Sequence, residues 1–245
     1  MGRTEKKCSR YYGLWTIVAN GHFILILFIQ LITMPEKILQ QIELLNSHYP
    51  KAKYYLDFSS ALELMVAAIM SAQVRDDVVN ATTQKLFKKY KTAKDYASAD
   101  LKVLTDDISS VTFAGNKAKN IRNACKILVE KYGGKVPDTM EQLIELPGIG
   151  RKTANAILIN GFNKVVGIPC DTHVIRLSYR LGWTNNTNPD KIEQDLMKLI
   201  PKGKWKKIPY LLKDHGRAIC RSPVPSCSTC FLNNSCPKKD VAKKL

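Results

Sequence analysis

The chain has 245 residues, with 38 Lys and Arg against 21 Asp and Glu, for a formal charge of +17 at pH 7. Its length supports one large domain or two small ones with a real core. The charge favours a polyanionic partner, nucleic acid or an anionic membrane, over a merely solvated basic surface. The seven cysteines do not read as a disulfide framework, because four crowd the C-terminal end and three are scattered.

The first 33 residues stand apart. Leu14–Thr33 carries no Asp, Glu, Lys or Arg and has about the length of a bilayer span, with Arg3, Lys6, Lys7 and Arg10 ahead of it. Asn20, Gly21, His22 and Gln30 interrupt it, and no small-residue cleavage site follows. Residues 1–33 are therefore read as an extension upstream of a start at Met34. A membrane anchor and a buried or interfacial helix are the alternatives.

From Met34 onward the pattern is helical. Ile38, Ile42 and Leu45 recur at helical spacing after Pro35. Ser59-Ser60-Ala61-Leu62-Glu63 resembles a capping box and leads into Leu64, Met65, Ala68 and Ile69. The segment 77–90 places Val78, Leu86 and Phe87 inside. The segment 116–132 does so with Ile121, Cys125, Leu128 and Val129, and stops at Gly133-Gly134. Short helices are expected over 139–146 and 152–159. Longer ones are expected over 171–181, 189–200 and 207–219. Strand signals are weak, so the expected class is all-α with about ten helices.

Between two of the short helices lies Leu146-Pro147-Gly148-Ile149-Gly150-Arg151-Lys152. Pro147 ends the first helix, and Ile149 can anchor the turn in the core. Gly148 and Gly150 permit positive φ and close approach of another backbone. The next helix then presents free N–H groups, which with its dipole bind a phosphate. This is a helix-hairpin-helix, a sequence-independent grip on the DNA backbone, with Gly148, Gly150 and Arg151 as its contacts.

Chemistry needs a nucleophile and a carboxylate, and the chain offers both. Lys152 sits in the first turn of the following helix, beside Arg151, and both the dipole and that charge disfavour its protonated form. A neutral amine there can attack a sugar C1′ and form a Schiff base. The other reading, a phosphate-binding cation, stays open. Asp171, in Ile168-Pro169-Cys170-Asp171-Thr172-His173, is placed as an N-cap, where backbone N–H bonds favour the ionised form. It suits the stabilisation of an oxocarbenium sugar or the removal of a proton. A purely structural cap is the plainer alternative.

Cys220, Cys227, Cys230 and Cys236 follow the pattern C-x6-C-x2-C-x5-C. Four soft ligands in one loop suit Zn²⁺ or an iron–sulfur cluster, although the spacing matches neither a zinc ribbon nor the usual ferredoxins.

Four stretches together resemble the endonuclease III family, the DNA glycosylase/AP lyases of the helix-hairpin-helix/Gly-Pro-Asp superfamily. They are Leu146–Ala156, Cys170–Arg176, His215-Gly216-Arg217 and the cysteine loop. Ser71-Ala72-Gln73, Asp76 and Val79-Asn80 also fit, while Cys170 replaces a usual valine. The resemblance runs from about Met34 to Cys236. It implies a six-helix barrel domain, residues 54–164, and an iron–sulfur domain combining 34–53 with 165–245, with DNA in the cleft between. It implies Lys152 as nucleophile, Asp171 as catalytic carboxylate and Gln73 as the residue filling the gap left by an extruded nucleotide. The four cysteines would hold a [4Fe–4S] cluster.

A lysine at 152 implies an imine, β-elimination and a strand nick. The expected substrates are duplexes with oxidised pyrimidines or abasic sites, met by a monomer in the cytoplasm. Thr112-Phe113-Ala114 departs from the family pattern. Phe113 falls at the wedge position and either stacks on bases or packs in the core. Rival functions are a same-fold glycosylase for mismatches or other bases and a non-catalytic iron–sulfur DNA-binding protein.

Overall fold

The computed structural model describes residues 33–241 and, ahead of them, the two strands β1 (Leu14–Ala19) and β2 (His22–Leu27). These pair antiparallel, with Ala19 opposite His22 and Leu14 opposite Leu27. The alternative of a helix in this extension is not met at these residues, which are strands. Among the described residues no helix is long and apolar enough to cross a membrane.

From Thr33 to Val241 all regular structure is helical. The elements are α1 (Met34–His48), α2 (Ala61–Met70), α3 (Asp76–Lys89), α4 (Ala93–Ser98), α5 (Leu101–Asp107) and α6 (Ala114–Tyr132). Then follow α7 (Met140–Ile144), α8 (Arg151–Phe162), α9 (Thr172–Arg180), α10 (Pro189–Leu199), α11 (Lys202–Trp205) and α12 (Ile208–Ala218). Of these, α4, α5 and α11 were not expected; each is too short to show a periodic face.

Local chemistry sets most helix boundaries. Thr33, just ahead of Met34, closes a reciprocal capping box with Glu36 on α1. Ser60 caps α2 through the Glu63 amide, while the Glu63 carboxylate turns back to Ser59 rather than Ser60. Gly133, at φ +57°, ends α6, and the Gly134 amide reaches Leu128 O at 2.8 Å.

Apolar burial divides into two cores. One gathers residues between Leu56 and Leu158, from α2 through α8. The other joins Ile38–Ala52 of α1 and its following turn to residues between Ile168 and Leu232. The chain thus begins in the second core, builds the first, and returns. Helix α2 is apolar on nearly all sides and buries Leu64 through Met70, as a central helix must. Each fully buried Leu or Ile contributes roughly 2 kcal/mol. Val129, expected inside, is 41% exposed; Ile121, Cys125 and Leu128 already fill the inward face of α6.

Polar contacts stitch the cores together. Tyr210 on α12 donates to Asn160 on α8 at 2.9 Å. Arg151 Nε and Asn155 Nδ2 on α8 donate to the two oxygens of Glu193 on α10, at 2.6 and 2.8 Å. Tyr54 packs against both cores.

Candidate active site

A cleft of about 590 Å³ opens where the two cores meet. Its walls include Gln73, Asp76, Lys152, Asp171, His173 and Arg217. The structure thereby brings together Lys152, Asp171 and Gln73, residues far apart in sequence.

Lys152 is exposed in the first turn of α8. Gly150 is the N-cap of that helix and has no side chain with which to cap it, so the first-turn amides stay available. The hairpin before it is half as expected. Ile149 is buried and Gly148 has φ +83°, where an added Cβ would meet Asn120 at 3.1 Å. Gly150, in contrast, has φ −93° and open space around its would-be Cβ. Its role is therefore not positive φ but an uncovered helix end. Arg151, expected to reach DNA, commits its Nε to Glu193; that hydrogen bond holds its guanidinium above its ordinary value.

Asp171 is the N-cap of α9. Its Oδ1 accepts from the amides of His173 and Val174, both at 2.9 Å. Capping thus uses one oxygen of the two, and among the described residues Oδ2 makes no hydrogen bond. The structural and chemical readings of Asp171 are compatible. His173, beside it, is kept below its ordinary value by burial, against the pull of the Asp171 charge. Cys170 is buried, and burial pushes its thiol up to about 12, so it behaves as an apolar filler like the valine it replaces.

The His215-Gly216-Arg217 stretch now has a physical meaning. A Cβ on Gly216 would lie 2.5 Å from His173 Nδ1 and 2.9 Å from an Arg176 nitrogen, so only glycine lets α12 pack on α9. His215 is buried, with Nδ1 3.2 Å from the Tyr49 hydroxyl and Nε2 3.6 Å from Cys230 Sγ. Arg217 and Lys213 both donate to Asp76 at 2.7 Å and stand over the Tyr55 ring at 5.5 and 5.2 Å. Asn80 fixes the same edge, bonding Asp57 N and Tyr55 O.

Burial alone would raise the Asp76 carboxyl, but hydrogen bonds and charge from Lys213 and Arg217 outweigh it and hold it below the usual range. A depressed folded value means the stabilisation is present above the unfolded value, about 4, and is lost as pH falls through the lower folded one. Asp76→Asn is expected to cost roughly 2 kcal/mol at pH 7, with the gap from the parent closing below about pH 4. Urea unfolding of both proteins at pH 7 and pH 3 checks this; an equal gap at both values would contradict it.

Gln73 and Phe113 share a rare conformation: both have φ +57°. Left-handed backbone costs a non-glycine residue roughly 1 kcal/mol or more, and such strain gathers at functional positions. Phe113 is 65% exposed, which removes the core-packing reading. It lies outside the cleft walls, but Thr112 Oγ1 donates to Gln73 O at 3.2 Å and ties the two loops together.

The four C-terminal cysteines line one small pocket with Arg180 and His215. Among the described residues no group of three His, Cys, Asp or Glu side chains is arranged to hold a single metal ion. The donor chemistry nevertheless suits a thiolate-held centre. Burial, and then the charge of the other three sulfurs, push the Cys230 thiol up, and a cationic centre relieves that repulsion. Donors already face two sulfurs: Arg180 Nη1 lies 3.6 Å from Cys220 Sγ and the Lys238 amide 3.4 Å from Cys236 Sγ.

Comparison with known proteins agrees with this geometry. The family model of HhH-GPD superfamily base excision DNA repair proteins matches residues 66–202. Endonuclease III of Synechocystis sp. is 44% identical over 199 residues, covering 81% of this chain and 91% of that protein. Endonuclease III of Bacillus subtilis is 40% identical over 205 residues, covering 81% and 92%. A solved endonuclease III–DNA covalent intermediate is 37% identical, with a TM-score of 0.80 over 84% of this chain and 97% of that one. A thermostable thymine-DNA glycosylase, 20% identical with a TM-score of 0.75, shares the fold. On these grounds the chain belongs to the endonuclease III family, within the helix-hairpin-helix/Gly-Pro-Asp superfamily of base excision DNA repair proteins.

Proposed function

We propose that the protein is a bifunctional DNA glycosylase and AP lyase that removes oxidised pyrimidines from duplex DNA and nicks the strand. The observation that carries this is the meeting of Lys152 and Asp171 at two helix N-termini in one cleft. A base inside a stacked duplex hides its C1′, so the target nucleotide must swing out into the cleft. The uncovered start of α8 grips the phosphate backbone, and Gln73 fills the gap left behind. Phe113 is exposed as a stacking surface beside it.

In the cleft the Lys152 amine attacks C1′ through its nitrogen lone pair. The glycosidic bond breaks, its electron pair leaves with the base, and the base takes up a proton. The Asp171 carboxylate stabilises the positive charge on the sugar as that bond opens. The nitrogen, now cationic, loses a proton, and its lone pair then opens the sugar ring to an iminium as the ring oxygen takes up a proton. Loss of a C2′ proton expels the 3′ phosphate by β-elimination, and water releases the imine.

The two cores correspond to a barrel domain, 54–164, and a second domain combining 34–53 with 165–245, which grip DNA as a monomer. Cys220, Cys227, Cys230 and Cys236 would hold a [4Fe–4S] cluster, which crosslinks the loop and takes no part in the base or sugar chemistry. A thiolate-held cluster suits the reducing cytoplasm, where the DNA lies. Elemental analysis tests this: about four irons and four sulfides per chain are expected, and one zinc would refute it.

Duplexes carrying thymine glycol, uracil, an abasic site or a mismatched adenine test the function. Nicking at thymine glycol and at the abasic site is expected. Release of mismatched adenine without a nick would instead indicate a mismatch enzyme, and no nicking at all a binding protein.

A further inference from the structure

Lys117 is unusual. It is only 6% exposed, yet among the described residues no carboxylate pairs with it. Its Nζ donates to Met70 O at 2.8 Å and Ala72 O at 2.6 Å. Met70 is the last residue of α2, so its carbonyl is one that the helix leaves without a partner, and Ala72 lies in the turn just beyond. The negative end of the helix dipole and two short bonds stand in for a counter-ion. A buried ammonium is costly to desolvate, so its placement asks for a purpose.

Its surroundings supply one. The turn that Lys117 holds runs from Ser71 to Val74, is closed by Val74 N to Ser71 O at 3.2 Å, and carries Gln73 at φ +57°. The Lys117 amide bonds Phe113 O at 3.1 Å, so the same residue is tied to left-handed Phe113 and to Ala72, the residue just before left-handed Gln73. Thr112 Oγ1 adds a further tie, to Gln73 O at 3.2 Å. Four hydrogen bonds, three from Lys117 and one from Thr112, thus lock two strained, exposed turns into one unit.

We infer that Lys117, with Thr112, is a positioning residue that latches the Gln73 turn to the Phe113 turn, so that both side chains enter the DNA stack as one preformed wedge. Neither touches the reacting atoms. The inference rests on the gap-filling role proposed for Gln73 and extends it. A preformed wedge matters only where a stacked duplex must be opened; a single strand needs no opening.

The test compares nicking of an abasic site in duplex and in single-stranded DNA, as the ratio of the two rates. A fraction of enzyme that fails to fold lowers both rates equally and cancels. Lys117→Met keeps the buried volume and removes the donor. It is expected to lower the duplex-to-single-strand ratio about tenfold, as loss of a hydrogen bond with a charged donor does. Thr112→Val, at an exposed site, is expected to lower it about threefold. Should Lys117→Met not fold, Thr112→Val decides alone. An unchanged ratio in Thr112→Val, with Lys117→Met either unchanged or losing both rates together, overturns the latch. Gln73→Ala is measured in parallel. An unchanged ratio there sinks the gap-filling role of Gln73, while a lowered ratio in the latch variants would still show that the turn itself opens the duplex.

Discussion

Lys152→Gln is expected to abolish borohydride trapping of enzyme on DNA, with a fall of at least about 10³-fold in strand nicking. Glutamine is polar and only one atom shorter than lysine but has no basic nitrogen to form an imine. The residue is exposed at the start of α8, so the substitution leaves the core untouched. The backbone grip is made by amides and not by this side chain, so duplex affinity should fall only modestly. Gel-shift and trapping measurements on one preparation separate the two roles left open by the sequence. A phosphate-binding cation would lose affinity and keep trapping; a nucleophile would do the reverse.

Asp171→Asn is the second large effect. Asparagine caps a helix about as well as aspartate, so the bonds from the His173 and Val174 amides survive and stability should change little. What disappears is the negative charge beside the sugar. Base excision is expected to fall about 10² to 10³-fold, the scale seen when one electrostatic contributor to a transition state is removed. Asp171→Ala is the companion variant, because it also removes the cap and should cost about 1 kcal/mol of stability. Thermal melts and single-turnover excision check both. An Asp171→Asn protein with normal excision would leave Asp171 a structural cap.

Features carried by neighbouring residues were legible in the sequence. Pro147, Gly148 and the run into Lys152 announced the hairpin, and Asp171 announced its own cap, because each acts within one turn of itself. The same locality misled at Gly150, where glycine was explained by positive φ although its φ is −93°.

The unforeseen site residues act over distance. Lys117 meets carbonyls 45 and 47 positions away. Glu193 reaches back 42 positions to Arg151, and Lys213 reaches 137 to Asp76. Nothing in a single local window distinguishes these from the other charges of a strongly basic chain. Their only sequence trace was compositional: Lys117 and Glu193 sit at the inward positions of amphipathic helices, where a charge needs a partner to be tolerated.

The proposed reaction turns on a covalent bond between one side chain and a sugar. The most direct measurement is mass spectrometry of the unmodified protein after borohydride reduction on abasic-site DNA, followed by nuclease and protease digestion. The adduct is expected on the peptide containing Lys152 and on that lysine alone. A reduced adduct mapped to another amine, or no adduct while nicking proceeds, would contradict it.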